Sequence, residues 1–580
     1  MSRFDWIILV VTLVAIVSYG LYKSRTSKNL EGYFLSNRSM PWYLVLLSIM
    51  GTQASAITFL SAPGQAFTDG MRFVQYYFGL PLAMVVLCIT FVPLFNRLKV
   101  YTAYEFLEQR FDVRTRTFTS ALFLLSRGLS TGISICAPSI ILSSLMGWDI
   151  YWTNIVMGGL LIIYTVSGGA KAVAYTQQLQ LIIIFSGMFI AGYFIVHLLP
   201  EGIGFNEALQ VSGNSGKLNV ITTGITESGF DMKDRYNLVS GVIGGFFLAL
   251  SYFGTDHSQV GRYLTAKNNT ESRLGLLMNG IVKVPMQFLI LLIGALLFAY
   301  YQFNPGPVFH NQAVVEQAKK TNYRESLESI ERQYHYTVQQ ASVMNRQLVA
   351  AEGEAKNYLK ESAKGIARQT DSLRTVYKNT LKQAVPAADT NDTNYIFLRF
   401  VVDTLPPGLV GLLIAIIFLA AWGSIAAALN SLASCTMVDF YVRFSKHHAH
   451  AGQSDARELK KYRLSRWYTF LWGIFCIAVA QFANRMGSLI EAVNILGSLF
   501  YGVILGIFLV GFYIRKVGGQ AVFAAAIVGE LLVILLFVLD YYNVIGFGFL
   551  WLNVAGAVAV IMLSLIFQRM GAANKETAGQ

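Results

Sequence analysis

The stretch from Leu409 to Tyr441 combines a membrane-spanning length of apolar residues with small and polar side chains. A hydroxyl at bilayer depth needs a partner, and small residues let helices approach closely. One interpretation is a tightly packed helix whose hydroxyls bond to its own carbonyls. The other is that Ser424 offers its oxygen to a hard cation such as sodium, which takes oxygen ligands. The polar and small residues that interrupt the apolar pattern are Gly423, Ser424, Asn430, Ser431, Ser434 and Thr436.

A second stretch, from Leu44 to Phe67, has the pattern of an interrupted membrane helix. It is apolar at both ends and carries Gly51, Thr52, Gln53 and Ser55 in its middle. Secondary transporters bind ions and substrate at such interruptions, because the unwound backbone frees its carbonyls. This second stretch therefore favours the interpretation of Ser424 as a cation ligand.

Together the two stretches resemble the sodium:solute symporter family, which includes sodium/galactose, iodide, sialic acid and proline carriers. The segment ALNS followed by TMVDFY, within 428–441, is similar to the signature of that family's sodium helix. Other specific pieces are TAYEFLEQRFD, AITFLSAPG and YTVSGGAKAV. The resemblance covers roughly residues 1–300 and 395–570. It implies an all-α polytopic membrane protein of the LeuT-like fold, with two inverted five-helix halves.

The resemblance also implies a sodium site between the two stretches. The broken helix would supply the carbonyls of Gly51 and Ala54, and the later helix would supply the Ala420 carbonyl and the Ser424 hydroxyl. Gly423 is predicted as a sodium-binding residue together with these four. Relatives often carry two adjacent hydroxyl residues at this point, where this chain has Gly423 before Ser424. We therefore expect weaker sodium affinity, and coupling to protons stays open as an alternative.

Some family members have a second sodium site, and the resemblance argues against one here. That site uses hydroxyls one turn further along the sodium helix, where this chain has Ala426 and Ala427. It also uses an aspartate, where this chain has Gln177. One coupling sodium ion is therefore expected.

The substrate site is expected beside the sodium site, near the bilayer midplane. Tyr252 matches the aromatic gate that closes under the sugar in galactose carriers, although an ordinary buried aromatic fits equally well. Lys283 matches a lysine near that sugar, or it snorkels to the cytoplasmic face. The predicted substrate-binding residues are Gln53, Ser55, Thr58, Gln75, Tyr77, Tyr252, Lys283, Glu491 and Asn494.

Other positions depart from the family's known sites. The arginine that holds the carboxylate in sialic acid carriers appears here as Ser130, with Arg127 about one turn away. Arg127 is expected either to bind an anionic substrate or to sit paired inside the bundle. Asp256 is expected to form a structural pair or to relay protons. The substrate class therefore stays open between a sugar and a small organic anion.

The composition indicates a polytopic membrane protein. The chain has 580 residues, and 54% of them are hydrophobic, which is more apolar surface than a soluble protein can bury. The net charge of +13 lies mostly in short loops between apolar segments, so the membrane explains it better than nucleic acid does. The four cysteines lie inside apolar segments, which predicts no disulfide.

About thirteen membrane spans are expected from the criterion of roughly 20 residues per span. Lys and Arg concentrate in alternate loops, which places the N-terminus outside and the C-terminus in the cytoplasm of a cell whose inner membrane holds the protein. The approximate span cores are 4–23, 41–66, 73–96, 117–145, 151–168, 173–199, 239–262, 275–301, 408–442, 464–485, 488–514, 520–540 and 545–568. The positively charged loops are 23–38, 97–116, the loop with Lys171, 262–273, 443–463 and 515–516.

The expected domain organisation follows these spans. Residues 1–301 hold the first eight, with the first repeat at 41–199 and the start of the second at 239–301. Residues 396–570 hold the rest, and 571–580 form a cytoplasmic tail. The segment 302–395 is polar and charged with a weak helical stripe, which predicts an extracytoplasmic insertion of two long helices turning near Gly353. Its role stays open: a lid, a surface for a partner or for self-association, or an insertion without a transport role.

No enzyme motif accompanies these features. The sequence lacks a phosphate-binding GxxxxGK[ST] loop, an HExxH zinc motif and paired metal-binding cysteines. We therefore predict a sodium-coupled symporter that imports a small organic solute by alternating access, and not an enzyme. The alternatives are a proton-coupled or uncoupled carrier of the same fold, or a transporter-like receptor that docks a partner on its insertion.

Overall fold

The computed structural model describes residues 1–23, 34–227, 229–386, 388–445, 455–483 and 487–578. Basic residues at 24–33 and 446–454, which the topology prediction uses, lie outside this part of the chain, as do residues 579–580 of the predicted tail. The first half is almost entirely helical. Its helices are α1 (Arg3–Lys23), α2 (Trp42–Gln53), α3 (Ala56–Asp69), α4 (Met71–Leu98), α5 (Glu105–Arg110), α6 (Val113–Met146), α7 (Ile150–His197), α8 (Phe205–Asn214), α9 (Ser240–Gly254), α10 (His257–Tyr263) and α11 (Asn269–Phe303).

The described residues of the second half are also mainly helical. One short antiparallel hairpin, β1 (Ile225–Thr226) and β2 (Gly229–Phe230), precedes α9 in the first half. The later helices are α12 (Gln312–Ala318), α13 (Arg324–Ala350), α14 (Gly353–Ala384), α15 (Thr393–Thr404), α16 (Leu409–Val442), α17 (Asp455–Ala483), α18 (Leu489–Tyr513), α19 (Gly519–Tyr541) and α20 (Phe549–Ala578).

The described residues show a mostly helical protein with several helices that could span a membrane. Eight of them are long and apolar enough to cross a membrane: α4, α6, the Val173–His197 part of α7, α11, α16, α18, α19 and α20. The bent pair α2 and α3 is long and apolar enough to be a broken span or a re-entrant loop, and Ile150–Val166 and α9 are shorter apolar helices. Helices α1 and α17 fall outside this group, so the total of about thirteen spans stays a prediction.

The backbone leaves helical geometry at two buried points, after α2 and after α9. Helices α2 and α3 meet at a bend of 61°, because Ala54 (ψ 78°) and Ser55 (ψ 172°) leave helical geometry. Helix α9 likewise ends at Gly254, and α10 restarts after Asp256. The Asp256 carboxylate caps α10 by accepting from the Ser258 backbone N–H at 2.8 Å. Both breaks leave backbone carbonyls and amides available in the protein interior.

Helix α16 forms the centre of the bundle. Its residues are buried from Leu413 to Cys435, and it packs against α1, α2, α6, α7 and α17. Its end is fixed by Asp439, which accepts hydrogen bonds from Arg116 Nε (2.9 Å), Thr102 Oγ1 (2.7 Å) and Ser120 Oγ (2.9 Å). The small residues of this helix therefore serve close packing and hold Ser424 deep in the protein.

The insertion contains two long helices, α13 and α14, packed against each other. Gly353 stands at their junction with a φ of +64°, a backbone conformation that favours glycine. The remainder of the insertion is anchored on Asp392. Its carboxylate accepts from the His310 backbone N–H (3.0 Å) and from Arg374 Nη2 (2.7 Å). The Arg374 guanidinium in turn lies 5.6 Å from the centre of the Phe67 ring at the end of α3.

The anchor has a fixed charge pattern at neutral pH. Burial acts to raise the pKa of Asp392, but Arg374, His310 and Lys378 together hold it well below its usual range. Burial lowers the pKa of His310, and its hydrogen bond to Asp392 opposes this only in part. Asp392 is therefore ionised and His310 neutral, so the anchor keeps its ion pairs across the physiological pH range.

A second tie joins the end of the insertion to two membrane helices. Ser61 in α3 donates to Asn394 Oδ1 at 2.7 Å, and Asn394 Nδ2 donates to the Gly487 carbonyl at 3.0 Å, just before α18. Gly64 lies directly against the Thr393 carbonyl, where a larger residue would clash. The insertion is thus joined to the second half of the broken helix and to the start of α18.

Candidate functional site

Two adjoining cavities lie at the break between α2 and α3. The larger has a volume of about 100 Å³ and the smaller about 70 Å³. They share Gln53, Ser55, Arg127, Tyr252 and Val493 as lining residues, so they form one polar and aromatic site. The predicted substrate-binding residues that line the larger cavity are Gln53, Ser55, Thr58, Tyr77, Tyr252 and Asn494.

The aromatic wall of the site is held by hydrogen bonds. Tyr252 accepts from Gln259 Nε2 at 2.7 Å, and its ring lies 5.9 Å from that of Tyr501. On the opposite side, the Tyr76 hydroxyl donates to Asn494 Oδ1 at 3.1 Å, which joins α4 to α18. Tyr252 thus stands at the cavity where the resemblance implies a gate, and its gating role stays a prediction.

Three predicted substrate-binding residues lie outside this cavity. Gln75 is buried and holds a loop, because its amide bonds Thr222 Oγ1 and the Tyr236 carbonyl, both at 3.0 Å. Glu491 lies in an open vestibule of about 890 Å³ and pairs with Arg235 Nη1 at 2.8 Å. Lys283 is buried behind the cavity wall. Gln75 has hydrogen-bond partners and Glu491 has an ion-pair partner within the protein. Their part in substrate binding stays a prediction.

Arg127 lies in the middle of the site and is paired there. Its Nε donates to Asp256 Oδ2 at 3.0 Å, its Nη2 contacts the same oxygen, and its guanidinium lies 5.3 Å from the centre of the Tyr252 ring. The Tyr501 hydroxyl donates to the same carboxylate oxygen at 2.8 Å. Of the two interpretations of Arg127, the structure shows the paired one, and Asp256 is its partner. The 129 residues between them hide this pair from sequence reasoning.

Ser424 faces the smaller cavity together with Thr52, Gln53 and Ser55. Its hydroxyl donates to the carbonyls of Ala420 (3.0 Å) and Ala421 (3.1 Å) in its own helix. Because its proton is used in this way, the lone pairs of the oxygen remain for a ligand on the cavity side. The two interpretations of this hydroxyl are therefore compatible, and the oxygen-rich surroundings suit a hard cation.

Gln177 in α7 bridges the two predicted sodium-binding helices. Its Oε1 accepts from Ser48 Oγ at 3.0 Å, and its Nε2 donates to Thr52 Oγ1 at 3.2 Å and to the Gly423 carbonyl at 3.1 Å. A Cβ on Gly51 would lie 2.9 Å from the Gln177 side chain, so the glycine makes room for it. The sequence indicated Gln177 only as a lost ligand. The two glycines that make room for its amide, Gly51 and Gly423, lie far from Gln177 in the sequence, so its bridging position could not be inferred from the sequence.

Replacing Gln177 with alanine is expected to weaken sodium activation about tenfold. Removal of the amide leaves the Gly423 carbonyl and the Thr52 hydroxyl without their bond to α7, and each lost buried bond costs about 1 kcal/mol. The sodium concentration that gives half-maximal uptake measures the effect. The matched control is Gln178→Ala, a neighbouring glutamine that is only half-buried. Equal sodium activation in the two variants would contradict the bridging role.

Comparison with known proteins gives one consistent result. The model of the sodium:solute symporter family matches residues 33–325 and 373–529, and the interval between them falls within α13 and α14. The sodium/sialic acid symporter SiaT of Proteus mirabilis is 25% identical over 577 residues, covering 99% of this chain and 96% of that protein. The sodium-dependent multivitamin transporter of Oryctolagus cuniculus is 26% identical over 525 residues, covering 88% of this chain and 66% of that protein.

A solved structure agrees in fold. The substrate-bound, outward-open state of a Na+-coupled sialic acid symporter superposes with a TM-score of 0.72 at 23% sequence identity. The alignment covers 98% of each chain. The likeness shows that the two proteins share an overall fold, while the LeuT-like arrangement of two inverted five-helix halves that the resemblance implies stays a prediction.

Proposed function

The chain belongs to the sodium:solute symporter family, and from that premise we propose that it imports a small organic solute, a sugar or a small organic anion, together with one sodium ion. It is a multi-pass membrane transporter and not an enzyme. The observation that carries the proposal is the pair of adjoining cavities at the α2–α3 break: Ser424 lines the smaller one together with Gln53, Ser55 and Tyr252, and these three also line the larger one. The relatives' names support a carboxylate-bearing or sugar-like solute, since one carries sialic acid and another vitamins.

The proposed sodium site combines the Gly51, Ala54 and Ala420 carbonyls with the Ser424 hydroxyl. The Gly423 carbonyl, predicted in the same site, accepts the Gln177 amide and so positions the helix. A single ion is supported because Ala426, Ala427 and Gln177 supply no anionic ligand for a second. The family favours sodium over the proton-coupled alternative, and no observation favours the receptor alternative.

Alternating access requires that sodium and solute bind the outward-open and inward-open states of the transporter with different affinities. Sodium at the break would hold α2, α3 and α16 in the arrangement that accepts solute, and solute would then favour closure over the cavity. We place the N-terminus and the segment 302–395 outside and the C-terminus in the cytoplasm of a cell whose inner membrane holds the protein. The alternation of basic loops supports this orientation. Asn394 joins the insertion to Ser61 and Gly487 by hydrogen bonds. The insertion would therefore move together with the outer ends of α3 and α18.

Uptake into proteoliposomes at fixed pH tests the function. An inward sodium gradient is expected to drive accumulation of radiolabelled sialic acid, lactate or galactose, with a Hill coefficient near one for sodium. Choline replaces sodium in the matched control. Accumulation that is the same in choline, or that follows an imposed proton gradient instead, would contradict sodium coupling.

A further inference from the structure

An apolar groove lies between α7 and α11 and shares no lining residue with the two cavities at the helix break. It has a volume of about 350 Å³, and of the side chains that line it only Tyr193 carries a hydroxyl, amide or charged group. Both helices are long and apolar enough to cross a membrane here, over Val173–His197 and Asn269–Phe303. A bound water molecule needs two to four polar partners, so the groove suits an apolar occupant instead.

The groove begins at the surface that faces lipid and reaches into the protein interior. At its mouth, Phe189, Tyr193 and Leu289 are 65%, 63% and 42% exposed. At its floor, Phe59 and Ile290 are 0% and 3% exposed. Apolar side chains exposed on a membrane-spanning helix face the hydrocarbon of the bilayer. The groove is therefore continuous with the lipid-facing surface, and a chain entering from the bilayer would leave that surface and pack between helices.

The length of the groove matches one leaflet of a bilayer. Its lining residues on α7 lie within 185–196, and those on α11 lie within 286–296. At a rise of 1.5 Å per residue this distance is about 16 Å, and half of a bilayer's hydrocarbon core is about 15 Å thick. Phe205, the first residue of α8, also lines the groove. Helix α8 is held on α11 near one end of the groove, because Ser212 donates to the Ala295 carbonyl at 2.7 Å.

The floor of the groove belongs to the broken helix. Phe59 lies in α3, four residues beyond Ser55 at the break. Its neighbours Ile57 and Thr58 line the larger cavity, whereas Phe59 lines neither cavity at the break. Helix α3 thus has the proposed solute cavity on one face and the groove on another. Without an occupant in the groove, the Phe59 ring would lose van der Waals contacts on that face.

We infer that this groove is a lipid-binding site that holds one acyl chain of a bilayer phospholipid against Phe59, and that the bound chain supports α3. A phospholipid chain is the occupant because the groove opens to the lipid and extends through one leaflet. Lipid tails are as apolar as the groove, so close packing rather than the hydrophobic effect holds the chain. The inference goes beyond the proposed function and depends on neither the solute nor the ion.

Photo-cross-linking locates the chain. The purified full-length protein is placed in phosphatidylcholine bilayers that contain a tracer phosphatidylcholine with a diazirine in its acyl chain, and the labelled peptides are identified by mass spectrometry. Labelling is expected to be stronger at Phe189 and Leu289 than at Leu531 and Leu535 of α19, which are 61% and 52% exposed. Equal labelling of the two surfaces would overturn the inference. A diazirine-bearing sterol that labels the groove more strongly than the phospholipid would overturn the choice of occupant.

Gly192→Phe fills the groove with a side chain of the protein itself. A Cβ at Gly192 would lie 3.8 Å from Ile293 Cγ1, an ordinary contact, and both residues line the groove. The variant is expected to lose the labelling at Phe189 and Leu289. Gly159→Phe is the matched control, since Gly159 lies in the same helix, is likewise half-buried and has open space around it. Undiminished labelling in Gly192→Phe would contradict the site.

Thermal unfolding tests the support of α3. After lipid is removed in detergent, added phosphatidylcholine is expected to raise the unfolding temperature of the wild type and of Gly159→Phe. Gly192→Phe should start from a higher unfolding temperature without lipid and lose the rise. An equal rise in all three proteins would show that the chain does not act through the groove. Gly192→Leu is the smaller second variant should the phenylalanine prevent folding, and it should reduce both the labelling and the rise. Neither measurement uses sodium or solute, so its failure is separate from failure of the proposed function.

Discussion

Asp256→Asn is expected to abolish sodium-driven uptake and to reduce the yield of folded protein severely. Asp256 Oδ2 accepts from Arg127 Nε (3.0 Å) and from the Tyr501 hydroxyl (2.8 Å). Its Oδ1 accepts from Ser258 Oγ (2.6 Å) and caps α10. An asparagine keeps the size but not the charge, so Arg127 is left buried without an anion. Removal of one partner of such a pair costs about 3–5 kcal/mol.

Asp256→Asn also affects the proposed transport site, because Arg127, its ion-pair partner, lines both cavities. A guanidinium released from Asp256 is attracted toward the Ser424 side, where it competes with sodium. Size-exclusion chromatography, thermal unfolding and sodium-driven uptake measure the three consequences. The double variant Arg127→Gln with Asp256→Asn removes both charges and should recover folded yield relative to Asp256→Asn alone. A single variant as stable as the wild type would show that the pair is not needed.

The helix break shows how far local sequence reasoning reaches. Gly51, Thr52, Gln53 and Ser55 interrupt an apolar run, and the structure breaks the helix at Ala54 and Ser55. Such an interruption is a local feature, since these residues themselves disfavour a continuous apolar helix. The same holds for Gly353, whose position between two polar helical stretches predicted the turn that its positive φ now occupies.

The partners of buried charges were not predictable in the same way. Asp256 belongs with Arg127, Gln177 with Gly423, and Asn394 with Ser61, and each pair joins helices more than 100 residues apart in sequence. Hydrophobic periodicity fixes which face of a helix is buried but not which helix it meets. The placement of Glu491 illustrates the limit. The sequence predicts both Glu491 and Asn494 as substrate-binding residues, yet only the structure separates the vestibule, where Glu491 pairs with Arg235, from the cavity that Asn494 lines.

Ser424→Ala is expected to raise the sodium concentration for half-maximal uptake by about ten- to a hundredfold. The variant deletes the one side-chain oxygen of the proposed sodium site and leaves only carbonyls. An interaction between a hydroxyl and a charged partner contributes about 1.5–3 kcal/mol, which corresponds to that range of affinity. Uptake of a fixed solute concentration against increasing sodium, at constant ionic strength, measures the shift. Maximal uptake at saturating sodium should fall much less, since the solute cavity is unchanged.

Ser431 supplies a closely matched control for this prediction. It lies on the same helix, is equally buried, and also donates to the carbonyl four residues earlier, Ala427, at 2.9 Å. Ser424 and Ser431 therefore both lose a hydrogen bond to the carbonyl four residues earlier on mutation to alanine, so the effect of that loss on the helix is common to both. They differ in that Ser424 lines the cavity at the break, whereas Ser431 lines neither of the two cavities there. A sodium shift in Ser424→Ala that is absent from Ser431→Ala, and that Ser424→Thr largely restores, isolates the oxygen facing the cavity. Identical sodium curves for the two alanine variants would remove Ser424 from the proposed ion site. Its hydroxyl would then contribute nothing to sodium activation beyond the hydrogen bond within the helix.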